Sequence, residues 1–217
     1  MQRAPGALFV VLEGGDGAGK STQAALLAGH LQEHGHEVVR TREPGGTPIG
    51  EKLRSLVLDH GHGEVDARTE ALMFAAARAA HVEQLILPAL AGGATVICDR
   101  YIDSSVAYQG VGRGLGAEEV LALNRWATGG LRPDLTILLD VDPQAGRDRR
   151  TQGEAAEDRL ESEPDDFHAR IRQAFLDRAG NDAGAYEVLD ASLPVEELAA
   201  MIAAAVSAVA PLAGSSS

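Results

Sequence analysis

Residues 12–22 read LEGGDGAGKST, with Gly14, four intervening residues and then Gly19-Lys20-Ser21. That spacing fits the phosphate-cradling pattern G-x-x-x-x-G-K-[ST]. The glycines permit unusual backbone angles and close approach, so the stretch Gly14, Gly15, Asp16, Gly17, Ala18, Gly19, Lys20, Ser21 and Thr22 can turn its N–H groups inward around the phosphates of ATP. Lys20 then reaches the β- and γ-phosphates, and Ser21 offers its hydroxyl to Mg2+. Asp16 is the odd member, because a carboxylate is repelled by phosphate oxygens. Either it turns away from them or it holds something else. Such a loop specifies nucleotide binding but no particular reaction, since it serves many activities.

The loop needs a strand before it and a helix after it. Five runs rich in Val, Ile and Leu read as buried strands: 8–14, 37–43, 94–100, 135–141 and 186–190. Several are nearly continuous in apolar residues, as in a sheet covered on both faces, and helical patterning lies between them. Strand alternating with helix implies an α/β fold with a parallel sheet and right-handed crossovers, with ligands at the carboxyl ends of the strands. Those ends carry Gly14, Glu43, Asp99-Arg100, Asp140 to Asp142 and Asp190. Residues 69–87 are expected to form one long helix, capped by Thr69 and stopped by Pro88. The glycine-rich stretch 110–116 is expected to break the region after the third strand, and the charged residues 143–180 to form two helices joined by a mobile segment.

The net charge of −13 argues against a nucleic-acid partner, which would need surplus Lys and Arg. The single cysteine, Cys98, lies in an apolar run and reads as a small core hydrophobe. No run reaches the roughly 18 to 20 apolar residues that span a bilayer, so no membrane association is expected. The N-terminal run ALFVVL is short for a signal peptide, and a cytoplasmic protein is expected. A GTPase switch would carry Asn-Lys-x-Asp, and the only lysines, Lys20 and Lys52, lie in no such motif.

Four stretches occur together in order: EGGDGAGKST, TREPGGTPIGEKLR (41–54), LMFAAAR (72–78) and DRYIDSSVAYQG (99–110). In this combination the chain resembles the bacterial thymidylate kinases, which move the γ-phosphoryl of ATP onto dTMP to give dTDP and ADP in dTTP biosynthesis. The likeness runs from Leu8 to roughly Leu160. It implies a three-layer P-loop NTPase fold: a five-stranded parallel sheet, helices on both faces and a mobile lid at about 143–163, in one domain spanning 1–217 with frayed ends at 1–6 and 211–217. It also implies Mg2+ as cofactor, ATP and dTMP as small-molecule substrates, and a homodimer.

The resemblance assigns roles to particular residues. Phe74 and Arg78 lie four apart and share a helix face. By spacing alone they read as a core residue and a surface ion-pair partner; by resemblance, thymine stacks on Phe74 while Arg78 donates to its carbonyl. Ser105 and Gln109 face the base, and Tyr108 lies beside the 2′ position, where a ring leaves no room for a ribose hydroxyl. Arg100 and Arg54 grip the acceptor phosphate. Glu43 is carried over as a partner that orients these donors, with an ordinary turn carboxylate as the alternative. Asp16 turns from the ATP phosphates to accept the 3′-hydroxyl. Asp99 holds Mg2+ through water or, alternatively, bonds the phosphate loop. Some relatives carry an arginine inside the loop where this chain has Gly17. The missing charge is then expected from the lid, where Arg149 and Arg150 are favoured over Arg147 and Arg159; some of these arginines are expected to pair with neighbouring acids instead.

Overall fold

The computed structural model describes residues 3–151 and 157–209, with Arg150 described by its backbone alone. Expectations that fall on residues 1–2, 152–156 and 210–217, or on the Arg150 side chain, lie outside the described residues. The strands β1 (Phe9–Gly14), β2 (Val38–Arg42), β3 (Thr95–Asp99), β4 (Leu135–Asp140) and β5 (Tyr186–Asp190) fall within a residue of the five apolar runs. They form one parallel sheet in the order β2-β3-β1-β4-β5. The loop-bearing strand is therefore central, with the β2–β3 edge on one side and the β4–β5 edge on the other.

Alternation along the strands sends side chains to two cores. Val10, Leu12, Ile97, Ile137 and Leu139 meet α1 (Lys20–Glu33) and α9 (Val195–Val209) on one face. Phe9, Val11, Val96 and Cys98 meet the opposite layer, which includes α4 (Leu87–Gly92), α5 (Ile102–Ser105) and α6 (Ala117–Ala127). Cys98 is fully buried there, and burial pushes its thiol pKa well up, as suits an inert core residue. A third cluster joins Leu138 to α8 (Asp165–Asn181) through Phe167, Ile171 and Phe175, and to Phe74 and Tyr108. Helices on both faces explain why the strands read as nearly continuous apolar runs.

The long helix expected at 69–87 is revised at both ends. Its cap is Asp66, whose carboxylate accepts from the N–H groups of Arg68 and Thr69 at 3.0 and 3.1 Å, and the helix α3 spans Ala67–His81. The chain then passes through a π-helical turn, Val82–Ile86, straight into α4. Pro88 lies in the first turn of α4, directly after the π-helical turn, so the chain stays helical through it instead of stopping before it. The break expected at 110–116 is also narrower, because a π-helical turn carries Val106–Gly112 before the chain turns. The charged region holds two helices, α7 (Pro143–Thr151) and α8. Of the N-terminal residues expected to fray, Arg3 pairs with Asp134, and the Ala4 N–H donates to the Leu90 carbonyl at 3.0 Å.

Candidate functional site

A cavity of about 740 Å3 opens along the carboxyl ends of the strands, with the phosphate loop at its centre. Toward the β2–β3 edge its walls include Glu43, Arg54, Phe74, Arg78, Ser105, Tyr108 and Gln109; toward the β4–β5 edge they include Arg149, Ala191, Leu193, Val195 and Leu198. The substrate residues expected from the sequence are thus brought together.

The loop is shaped by its glycines. Gly14 has φ +138°, and a Cβ there would lie 2.4 Å from the Leu139 carbonyl oxygen. Gly17 has φ +80°, and a Cβ there would lie 2.1 Å from the carbonyl oxygen of Gly146 in α7. No side chain fits at position 17 with α7 so placed. Lys20 donates from Nζ to the carbonyls of Gly14 and Gly15 at 3.0 and 2.8 Å. Burial, and next the charge of Arg100, pushes its pKa down to about 8. Ser21 Oγ donates to Asp99 Oδ2 at 2.5 Å, so a hydroxyl and a carboxylate oxygen stand together at the start of α1. Hard oxygen donors of this kind fit Mg2+.

Asp16 answers the question posed by its place in the loop. It turns toward the β2–β3 side of the cavity, where Arg100 Nη2 donates to Oδ1 and the Tyr108 hydroxyl donates to Oδ2 at 2.6 Å. Arg100 itself takes a left-handed φ of 70°, rare for a residue with a side chain. Its Nη1 donates to Ser104 Oγ at 2.9 Å and to the Gly14 carbonyl at 3.1 Å. Burial works against its charge, but Asp16 foremost, with Tyr108, Asp99 and Glu13, outweighs burial and holds the guanidinium pKa well above its usual value. Burial raises the Tyr108 pKa well above its ordinary range, so the phenol stays a donor.

Arg78 is fixed on nearly every side. Nε donates to Glu43 Oε2 at 2.6 Å, Nη1 to Ser105 Oγ at 2.9 Å and to Asn124 Oδ1, and Nη2 to the Tyr101 carbonyl at 2.8 Å. Four of the five guanidinium N–H groups are thereby engaged. The Arg78 and Glu43 side chains are each 2% exposed, and removing one partner from such a buried pair costs about 3–5 kcal/mol. Glu43 Oε1 also bonds His81 Nδ1 at 2.9 Å, and His81 Nε2 bonds Thr41 Oγ1 at 2.7 Å. Glu43, His81 and Cys98 bring three ligand-type atoms within 4.8 Å of one another. Both histidine nitrogens and both Glu43 oxygens are already engaged, so the group is a polar brace for Arg78. Arg54 donates from Nη1 to the Pro44 carbonyl at 3.0 Å, and burial, followed by Arg42, lowers its pKa.

Sequence reasoning missed a second brace. Glu70, one turn before Phe74, is wholly buried. It receives Gln109 Nε2 at 2.8 Å, Arg113 Nε at 3.3 Å and Arg159 Nη2. Gln109 therefore lines the cavity with its amide nitrogen already engaged. Arg159 also donates to the Val57 carbonyl at 2.9 Å. Arg147 pairs with Asp165 at 2.6 Å. Arg149 lines the cavity but donates from Nη1 to the Ala191 carbonyl at 2.9 Å, beside the β5–α9 turn. The described arginines of the expected lid are thus engaged away from Lys20 and Arg100. Asn124 did leave one signal, a polar residue on the otherwise apolar buried face of α6.

Comparison with known proteins adds an independent line. A family model described as thymidylate kinase matches residues 12–202. The thymidylate kinase of Clavibacter michiganensis subsp. michiganensis is 56% identical over 195 residues, which is 90% of this chain and 92% of the relative. That of Desulfosudis oleivorans is 47% identical over 208 residues, 93% of this chain and 97% of the relative. A crystal structure of thymidylate kinase from Ehrlichia chaffeensis superposes with a TM-score of 0.77 at 32% identity, covering 94% of this chain and 100% of that one.

Proposed function

The chain belongs to the thymidylate kinase family and transfers the γ-phosphoryl of ATP to dTMP, giving dTDP and ADP in dTTP synthesis; from that premise we propose how its residues divide the work. Its fold is that of a P-loop NTPase. The thymine stacks on Phe74, a contact worth about 1–3 kcal/mol. The remaining Nη2 N–H of Arg78 donates to a base carbonyl. Because four bonds hold that guanidinium, it cannot swing aside for cytosine, which presents an amine donor where thymine presents an acceptor. Ser105 and Gln109 complete the base wall, and the Tyr108 ring excludes a 2′-hydroxyl.

Asp16 accepts the 3′-hydroxyl, and Arg100 and Arg54 bind the acceptor phosphate. Lys20 leaves the Gly14 and Gly15 carbonyls for the β- and γ-phosphates of ATP, whose other oxygens take the loop N–H groups from Gly14 to Thr22. An acceptor phosphate oxygen then attacks the γ-phosphorus in line, the bond to the β–γ bridging oxygen breaks, and ADP leaves. Lys20 and Arg100 neutralise the charge that builds up. Ser21 and Asp99 would hold Mg2+, which when bound supplies further positive charge to the phosphate oxygens. Arg149 borders the donor nucleoside; to act on the transferring group with Arg150, as the resemblance implies, it must first release Ala191. Arg149 lies on α7, which serves as the moving part of the lid.

We further assign a homodimer. Leu56 on α2 (Pro48–Leu58), Leu72 on α3 and Trp126 on α6 are exposed by 43%, 58% and 81%, and α3 packs against both of the other helices. A cytoplasmic location suits the nucleotide substrates and the single buried Cys98. Among the described residues, no helix is long and apolar enough to cross a membrane.

The observation that best supports this division is Asp16, a residue of the donor loop bonded by Arg100 and Tyr108 from the acceptor wall. A coupled ADP-release assay with dTMP, dUMP, dCMP and AMP tests it. The expected result is turnover best with dTMP; turnover best with AMP or dCMP rejects the base-reading roles.

A further inference from the structure

The second-to-last residue of β1 is Glu13, a carboxylate in an otherwise apolar strand and only 1% exposed. A buried charge persists only where hydrogen bonds satisfy it. Here Oε1 accepts from the N–H groups of Tyr101 and Ser104 at 2.8 and 3.1 Å, and Oε2 accepts from Ser104 Oγ at 2.6 Å. All three donors lie just after Arg100, the one non-glycine residue with positive φ among the described residues. Sparsely populated backbone of that kind is kept only where its surroundings over-determine it. On the other side of Arg100, its own N–H donates to the Leu12 carbonyl at 2.9 Å. The Ser104 hydroxyl that donates to Glu13 accepts from Arg100 Nη1. Glu13 therefore connects through one hydroxyl to the guanidinium that meets Asp16.

We propose that Glu13 is a positioning residue for the acceptor-phosphate grip, holding Arg100 through Ser104 and through the backbone that follows it. The proposal rests on the reading of Arg100 given above. Glu13 needs no contact with either nucleotide to act in this way; what it fixes is the direction of Arg100. Its charge matters as well as its shape. Burial, and next Asp103 on α5, pushes its carboxyl pKa up to about 7, against the opposing pull of Ser104, Arg100 and the Tyr101 N–H. Lys20 on α1, Cys98 on β3 and Tyr186 on β5 also sense its charge. Protonation turns one of its oxygens from acceptor to donor and loosens the hold on Ser104.

The test is a double-mutant cycle read in KM. Glu13→Ala is expected to raise KM for dTMP about tenfold and to change KM for ATP by less than about twofold, the scale for losing bonds to a charged group. Added to Arg100→Ala, the same substitution is expected to move KM for dTMP by less than about twofold, because its target is gone. A full effect of Glu13→Ala on the Arg100→Ala background, or an equal rise in both KM values, overturns the proposal. If Arg100→Ala alone leaves KM for dTMP unchanged, the reading of Arg100 fails instead, which is a separate result. Should the alanine variant not fold, Glu13→Gln takes its place, since it still accepts from both backbone N–H groups. The ratio of its KM for dTMP to that of the wild type is expected to rise from near one at about pH 6 to about threefold at pH 8, where the wild-type carboxylate is ionised. The titration of dTMP itself cancels in that ratio, and a ratio of one throughout overturns the proposal.

Discussion

The two sides of the cleft are built from different groups. Toward β2 and β3 the walls are charged and polar side chains, buried and bonded to one another: Glu43 with Arg78 and His81, Arg78 with Ser105 and Asn124, Asp16 with Arg100 and Tyr108. Toward β4 and β5 the loop backbone and apolar residues such as Leu193, Val195 and Leu198 predominate, and Arg149 touches a carbonyl. Pre-bonded side chains discriminate sharply, because a ligand of the wrong pattern leaves buried polar groups unpaired. Backbone N–H groups and apolar walls hold phosphates and a flat ring with little regard to which base the ring is. On the division of work proposed above, acceptor choice is built in more strictly than donor choice.

The harshest test of that contrast removes the donor-side charge alone. Lys20→Ala is expected to lower kcat at least about a thousandfold, the scale for losing a group that stabilises transition-state charge. Calorimetric affinity for dTMP should change by less than about threefold. A comparable loss of dTMP affinity would mean that the two sides do not work separately. Next comes Arg78→Ala, expected to lower kcat/KM for dTMP about a hundredfold while KM for ATP stays within about twofold. Equal losses for both substrates would reduce Arg78 to a packing role and erase the contrast at the acceptor side.

The same contrast explains how much of the molecule was legible in its sequence. The strands were readable because burial on both sheet faces leaves continuous apolar runs, and all five came out within a residue of their bounds. The phosphate loop was readable because its geometry demands glycines. Asp16 stood out as a carboxylate inside a phosphate loop, while Phe74, Arg78 and Arg100 were singled out by family resemblance and not by spacing; the structure lines one cavity with all four. What escaped was pairing across long separations. Arg78 meets Asn124 across 46 residues, and Arg159 meets Glu70 across 89. Periodicity says which residues share a face and is silent about what that face meets. The helix end at Pro88 was misplaced for a related reason: a proline in the first turn of a new helix looks in sequence like one that ends the old helix. The β4–β5 side of the cavity left no signal in residue type, because aliphatic groups such as Leu193, Val195 and Leu198 line it.

A milder perturbation sharpens the acceptor side. Tyr108 is buried, packs near Phe167 and Phe175, and donates to Asp16 at 2.6 Å. Tyr108→Ala opens space beside the sugar and is expected to narrow the preference for a deoxyribose over a ribose acceptor about tenfold. The measurement is the ratio of kcat/KM for the deoxy and ribo forms of one monophosphate. An unchanged ratio with lowered activity would mean that the ring only supports Asp16.

The smallest expected effect lies at the seam between the two sides. Lys20 belongs to the donor loop, yet after burial the largest cause of its lowered pKa is Arg100, an acceptor-side charge. Its pKa falls from 10.5 to about 8, so between those values the unfolded chain binds more protons than the folded one. Stability contributed by this group must then rise with pH across that window, and below about 8, where both states are protonated, it is flat at its least favourable level. Other groups titrate nearby, so the informative quantity is the Tm of the wild type minus that of Lys20→Met. Without nucleotide this difference is expected to increase from about pH 7.5 to about 9.5. An ATP analogue puts phosphate oxygens beside the ammonium, restores its pKa and should flatten the slope. A difference that ignores pH without nucleotide would mean that the lysine is solvated and the seam uncharged; a slope that survives the analogue would mean that Lys20 never meets the phosphates.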